Sequence, residues 1–101
     1  MKRLLLVGML MITPFANSAS FSTKVAAGFN AKFNYCAEIL AKDKTKQGWQ
    51  IKAGLSQLKA DGIGSDYIGK KGFVKYVIKE TKYLDKHWAK DDCKNFLKKH
   101  L

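Results

Sequence analysis

The sequence predicts an all-α domain, a small bundle of about four helices whose first and last members are joined by one disulfide. Three observations predict it. Apolar residues recur at steps of three and four through most of the chain after residue 20. Charged or glycine-rich stretches divide that pattern into helix-length segments. The two cysteines, Cys36 and Cys93, fall in the first and the last segment.

Residues 1–19 stand apart and read as a cleavable secretory signal peptide. Lys2 and Arg3 form a positive start, and Leu4 to Ile12 is an uncharged apolar run of nine residues. Thr13 and Pro14 break it, and Ala16-Asn17-Ser18-Ala19-Ser20 offers small residues to a signal peptidase. Cutting after Ser18, Ala19 or Ser20 is compatible with that pattern. The run is too short for a membrane anchor, which needs about 20 apolar residues. An exported chain, periplasmic or secreted, is expected. Residues 20–101 are expected to form one basic helical domain.

The first helix is expected from about Ser22 to Lys42. Val25, Phe29, Phe33, Cys36 and Leu40 form its stripe, with alanines between them. The charged stretch Lys42 to Lys46 ends it. A second helix is expected from about Lys46 to Ala60, with Trp49 near its start and Ile51, Leu55 and Leu58 as its stripe. Gly62 reads as its stop. Asp61 to Gly72 carries four glycines and reads as a loop. A third segment, Phe73 to Ala89, places Phe73, Val74, Val77, Ile78, Thr81, Leu84 and Trp88 on one face and Lys75, Lys79, Lys82 and Lys86 opposite. Its β-branched start permits a strand, but strict alternation is absent and helix is favoured. The last helix opens at Asp91-Asp92, where carboxylates suit an N-terminus. Its stripe is Cys93, Phe96, Leu97 and Leu101, and Lys98, Lys99 and His100 suit its C-terminal end.

In an oxidising compartment two cysteines most simply form one intramolecular bond. Two free thiols or an intermolecular bridge are the alternatives. The long loop closed between Cys36 and Cys93 predicts about 4 kcal/mol of stabilisation, comparable with the whole stability of a small domain.

Removing Lys2 and Arg3 from the nineteen basic residues leaves seventeen against eight acidic ones, a formal charge of +9. All seventeen are lysines. Lysine is a hydrated point charge without the planar fork of arginine, so it suits loose attraction to an anionic surface better than bidentate reading of phosphate or bases. DNA, anionic lipid or polysaccharide are partners of that kind. Lysine that merely solvates the surface is the competing explanation.

Catalytic motifs are absent. There is no Gly-x-Ser-x-Gly, no P-loop and no Cys-x-x-Cys-His. His87, Asp91, Cys93 and His100 are near one another in sequence, but a metal site wants three or four compatible ligands and an oxidised Cys93 supplies none. No enzyme activity, metal or cofactor is expected. Ala60-Asp61-Gly62-Ile63-Gly64 resembles the small-x-Gly-apolar-Gly core of a helix-hairpin-helix. That likeness implies phosphate binding by the backbone at Gly62 and Gly64, with Lys70 and Lys71 adding attraction. Tyr67, Tyr76 and Tyr83 lie off the cleanest stripes and are candidates for a protein-binding face.

The segment Cys36-Ala-Glu-Ile-Leu-Ala-Lys-Asp43 resembles the stretch after the first cysteine of the HdeA-type periplasmic acid chaperones. Those proteins are also small, exported, helical and stapled by one disulfide, so the likeness implies a chaperone-like binder. The spacing to Cys93, the short tail beyond it and the basic charge depart from that family. The expectation is an exported, non-enzymatic protein that binds another envelope protein, as an inhibitor, immunity factor or chaperone-like binder. Binding of an anionic surface through lysines and the Gly62-Ile63-Gly64 loop is the alternative.

Overall fold

The computed structural model describes residues 19–101 apart from Lys46 and the side chain of Gln47. The signal-peptide reading therefore lies almost entirely outside the described residues. Four helices follow one another: α1 (Phe21–Ala41), α2 (Gln47–Tyr67), α3 (Phe73–His87) and α4 (Lys90–His100). The all-α bundle expected from periodicity is what the chain forms.

α1 is the central helix, and each of the others packs on it. Ser20 caps its start, where the hydroxyl accepts the Thr23 N–H at 3.2 Å. α2 returns antiparallel along α1. Ser56 Oγ donates to the Phe33 carbonyl at 2.6 Å, and Asn30 Nδ2 donates to the Ala60 carbonyl at 2.8 Å. α3 then runs beside α1 in the same direction. It starts with Phe73 packed on Ala26 and Ala27 and ends where the Tyr35 hydroxyl donates to the Trp88 carbonyl at 3.0 Å. α4 turns back antiparallel to α1. The Cys36–Cys93 disulfide, with Cα atoms 5.2 Å apart, joins the two helices. Next to it Phe96 meets Phe33 edge-on at 5.0 Å.

Among the described residues two clusters stand out in the interior. One gathers Phe33, Cys36, Leu40, Trp49, Cys93, Phe96 and Leu97 around the disulfide. The smaller one gathers Ala26, Ala27 and Phe73, flanked by Ile63, Tyr67, Tyr76 and Val77.

Three expectations need correction. First, residues 61–67 are not a loop. α2 runs unbroken through Gly62 and Gly64 to Tyr67, and Gly62 is not its stop. The inward row Ala60, Ile63, Tyr67 continues across the glycines, and packing of that row outweighs the roughly 1 kcal/mol that each glycine costs a helix. Second, Ile51, Leu55 and Leu58 do not face the core. They are 64 %, 48 % and 67 % exposed, and α2 instead turns Trp49, Ala53, Ser56 and Ala60 inward. Third, Asp91-Asp92 is not the cap itself. Ala89 is the N-cap, and Asp92, three residues on, accepts its N–H at 2.8 Å. The ambiguous start Phe73 to Ile78 is helical.

Candidate binding surface

The joint between α2 and α3 shapes the candidate site. A four-residue run, Gly69 to Gly72, turns the chain, and Gly72 takes a left-handed φ of 83°. A Cβ there would also stand 2.9 Å from the Cβ of Ala19, so only glycine fits. The turn splays α3 from α2 and leaves an open groove of about 430 Å³ between them. Phe73, Val74, Val77 and Ile68 supply apolar walls, and Ala60, Gly64 and Asn30 lie deeper. A side chain at Gly64 would contact the Asn30 amide at 3.5 Å, the amide that holds the Ala60 carbonyl.

Ile68 is 63 % exposed and Val74 is 48 % exposed, so the groove presents large aliphatic side chains to water. Lys70 and Lys71 are exposed in the turn beside it. These two lysines were expected to attract an anion toward the backbone of a Gly62-Ile63-Gly64 loop. The structure separates those parts. Gly62 and Gly64 are in the body of α2, where backbone N–H groups are turned into the helix ladder and cannot cradle a phosphate.

The three tyrosines do not make one face. Tyr67 stacks on Phe73 with ring centroids 6.0 Å apart and is half-buried. Tyr76 is half-buried against the same small cluster, with the ammonium groups of Lys24 and Lys79 at 5.4 Å and 5.7 Å from its ring centre. Tyr83 is exposed and lies on His87 at 4.4 Å. Tyr76 and Tyr83 are seven residues apart and so share one side of α3, and Tyr67 and Tyr76 both border the small cluster.

Sequence reasoning missed Asp43. Its carboxylate is buried in the α1–α2 connection. Oδ1 accepts from the Thr45 hydroxyl and N–H. Among the described residues Oδ2 has only the ammonium groups of Lys94 at 3.3 Å and Lys90 at 3.8 Å. Those Thr45 hydrogen bonds, and after them Lys94 and Lys90, hold its pKa down to about 2 against the opposing effect of burial. A lone Asp among lysines gives no sequence signal of this, since Lys90 and Lys94 arrive from α4. Asp43 thus acts as a polar clasp between the connection and α4.

His87 and His100 are used in packing. His100 lies against Phe96 at 4.6 Å and Phe29 at 5.2 Å. Among the described residues no three His, Cys, Asp or Glu side chains converge on one point. Among them, too, no helix is long and apolar enough to cross a membrane. The lysines lie on all four helices and in the turns. On α3 alone, Lys75, Lys79, Lys82 and Lys86 make a straight exposed row at helical spacing.

The chain matches no protein-family model, no curated protein and no solved structure.

Proposed function

We propose that this protein is an exported, non-enzymatic binder of another envelope protein, and that the α2–α3 groove receives it. The observation that carries the reading is the groove itself, with exposed Ile68 and Val74 on its walls and Lys70 and Lys71 in the adjoining turn. Open apolar concavities of this size accept side chains from a partner. The lysines favour a partner segment in which an apolar residue is flanked by acidic ones. Inhibitor, immunity factor and chaperone-like binder are the roles this reading covers.

Export supports the disulfide, and the fold fits processing after Ser18. That cut keeps Ser20 as the cap of α1 and Ala19 beside Gly72. A cut after Ser20 removes both.

The test is affinity capture from envelope extract with the mature chain. Capture of one protein should survive moderate salt and weaken at least tenfold in Val74→Glu, whose circular dichroism should stay native because the site is exposed. Equal capture by Val74→Glu sinks the reading. A second reading, attraction to an anionic surface, rests on the lysine row of α3. It expects binding to DNA or anionic vesicles that falls steeply with salt and is insensitive to Val74→Glu.

A further inference from the structure

The outer face of α2 is the feature that neither the core nor the groove explains. Ile51, Leu55 and Leu58 point away from α1 and are each about half to two-thirds exposed. The same side continues through Gly62 and Ser65 to Gly69 just past the helix end, all exposed. The steps are four, three, four, three and four, which is heptad spacing. This seam has two unlike halves. The N-terminal half carries three large aliphatic side chains, and the C-terminal half carries Gly, Ser and Gly.

Such a seam fits itself when reversed. An antiparallel second copy brings Ile51 opposite Gly69, Leu55 opposite Ser65 and Leu58 opposite Gly62, each pair occurring twice about the two-fold axis. Every large side chain then meets a slot left by a small one. A parallel copy stacks large on large and leaves the glycines facing a void, which close packing disfavours.

Charge points the same way. α2 carries Lys52 and Lys59 against Asp61 and Asp66 and is formally neutral, whereas α3 and α4 each carry +2. In a molecule of +9 this is the helix on which two copies meet with least repulsion. In the antiparallel arrangement Lys52 of one copy comes beside Asp66 of the other, twice. Ile68, itself 63 % exposed, lies toward the bare Gly54 of the second copy. The two Lys59 face each other near the axis, where their long chains turn out to water, and the two Asp61 do so on the other flank.

We infer that the protein forms an antiparallel homodimer through the outer face of α2. The seam is about 27 Å long from Ile51 to Gly69. That places the contact near the lower limit of specific interfaces, about 1,000 Å² in total, so a weak, concentration-dependent dimer is expected. The inference needs only this chain, although its C-terminal end shares Ser65 and Ile68 with the groove.

Sedimentation velocity of the mature chain, from low micromolar to near-millimolar concentration, tests it. The wild type should pass from monomer to dimer. Leu58→Gln should shift the dissociation constant at least tenfold toward monomer. Gly62→Leu is the sharper variant. Nothing lies within 4 Å of a Cβ at Gly62, and leucine is a far better helix former, so its thermal midpoint should rise. Yet it fills the slot that Leu58 of the second copy needs, and the dimer should be lost. A wild type that is monomeric throughout overturns the inference. So does a Gly62→Leu variant that associates as well as the wild type or better, which is the outcome expected of unspecific apolar contact or a parallel pair. A monomeric chain that instead takes up anionic vesicles through this face also overturns it.

Discussion

α1 carries two seams that are built in opposite ways. Against α4 it uses large side chains and a covalent bond: Phe29 and Phe33 meet Phe96, and Cys36 is tied to Cys93. Along the middle of α2 it uses small ones, Asn30 and Ala37 on one side and Ala53, Ser56 and Ala60 on the other, with the larger Trp49, Ile63 and Tyr67 only toward the two ends of α2. The difference follows from length. α4 has 11 residues and α2 has 21. A short helix buries little area, so it needs bulky anchors and a staple. A long one gains enough from many close contacts, and small residues let the backbones approach until side chains reach the opposite main chain. The bonds from Ser56 to the Phe33 carbonyl and from Asn30 to the Ala60 carbonyl are that approach made visible.

The largest break comes at the α4 seam. Replacing both cysteines by serine should lower stability by about 4 kcal/mol, the chain-entropy value for a loop of this length. For a domain of this size that is a fall of roughly 15–30 °C in the unfolding midpoint. Calorimetry of the oxidised, reduced and double-serine chains measures it. Equal midpoints would show that the non-covalent contacts of α4, the aromatic rings and the Asp43 clasp, are enough to hold it.

The α2 seam should be sensitive to size rather than to its loss. Ala60 is fully buried at the floor of the groove, and Ala60→Leu should cost about 1–3 kcal/mol because the larger side chain must displace its α1 neighbours. Leu58→Ala, two residues away on the outer face, should change monomer stability by no more than about 0.5 kcal/mol. Denaturant titrations at a concentration where the chain is monomeric compare them. If Leu58→Ala were the costlier change, the orientation assigned to α2 would be wrong.

The same contrast explains which parts of the molecule are legible in its sequence. The α4 seam is legible because hydrophobic size marks it: Cys93, Phe96 and Leu97 recur at helical spacing and all are buried. Phe73 and Leu84 on α3, and the lysines opposite them, are legible for the same reason. α2 misleads because its stripe of Ile51, Leu55 and Leu58 is stronger in hydrophobicity than its true inner row of Ala53, Ser56 and Ala60. Periodicity reports an apolar face but not which face is used, and the close approach that favours alanine and serine depends on what α1 offers. Gly62 and Gly64 suggest a loop because their helix-breaking tendency is local, whereas the packing of Ile63 and Tyr67 that overrides it is tertiary. The groove between α2 and α3 is not legible at all, since it depends on where α2 ends and on the left-handed turn at Gly72.

The smallest expected effect concerns pH, and it falls on the α4 side of the comparison. Asp43 is unprotonated in the fold down to a pKa of about 2, below the 3.8 of a free side chain. A depressed carboxylate pKa gives stability that is fully present above the unfolded pKa and is lost as pH falls through the folded one. The loss therefore runs from about pH 4 to about pH 2. Protonation weakens the Thr45 hydrogen bonds, the larger cause of the shift, and also removes the ion pairs to Lys94 and Lys90, which are contacts of α4 rather than of α2. Hydrogen exchange or fluorescence across that window should show the α4 end loosening before the α1–α2 pair. Asp43→Asn keeps an oxygen for Thr45 but has no charge to lose, so its stability should change less with acid than that of the wild type. Identical acid profiles for the two chains would show that other carboxylates govern the response, and that the clasp adds nothing to what the disulfide already secures.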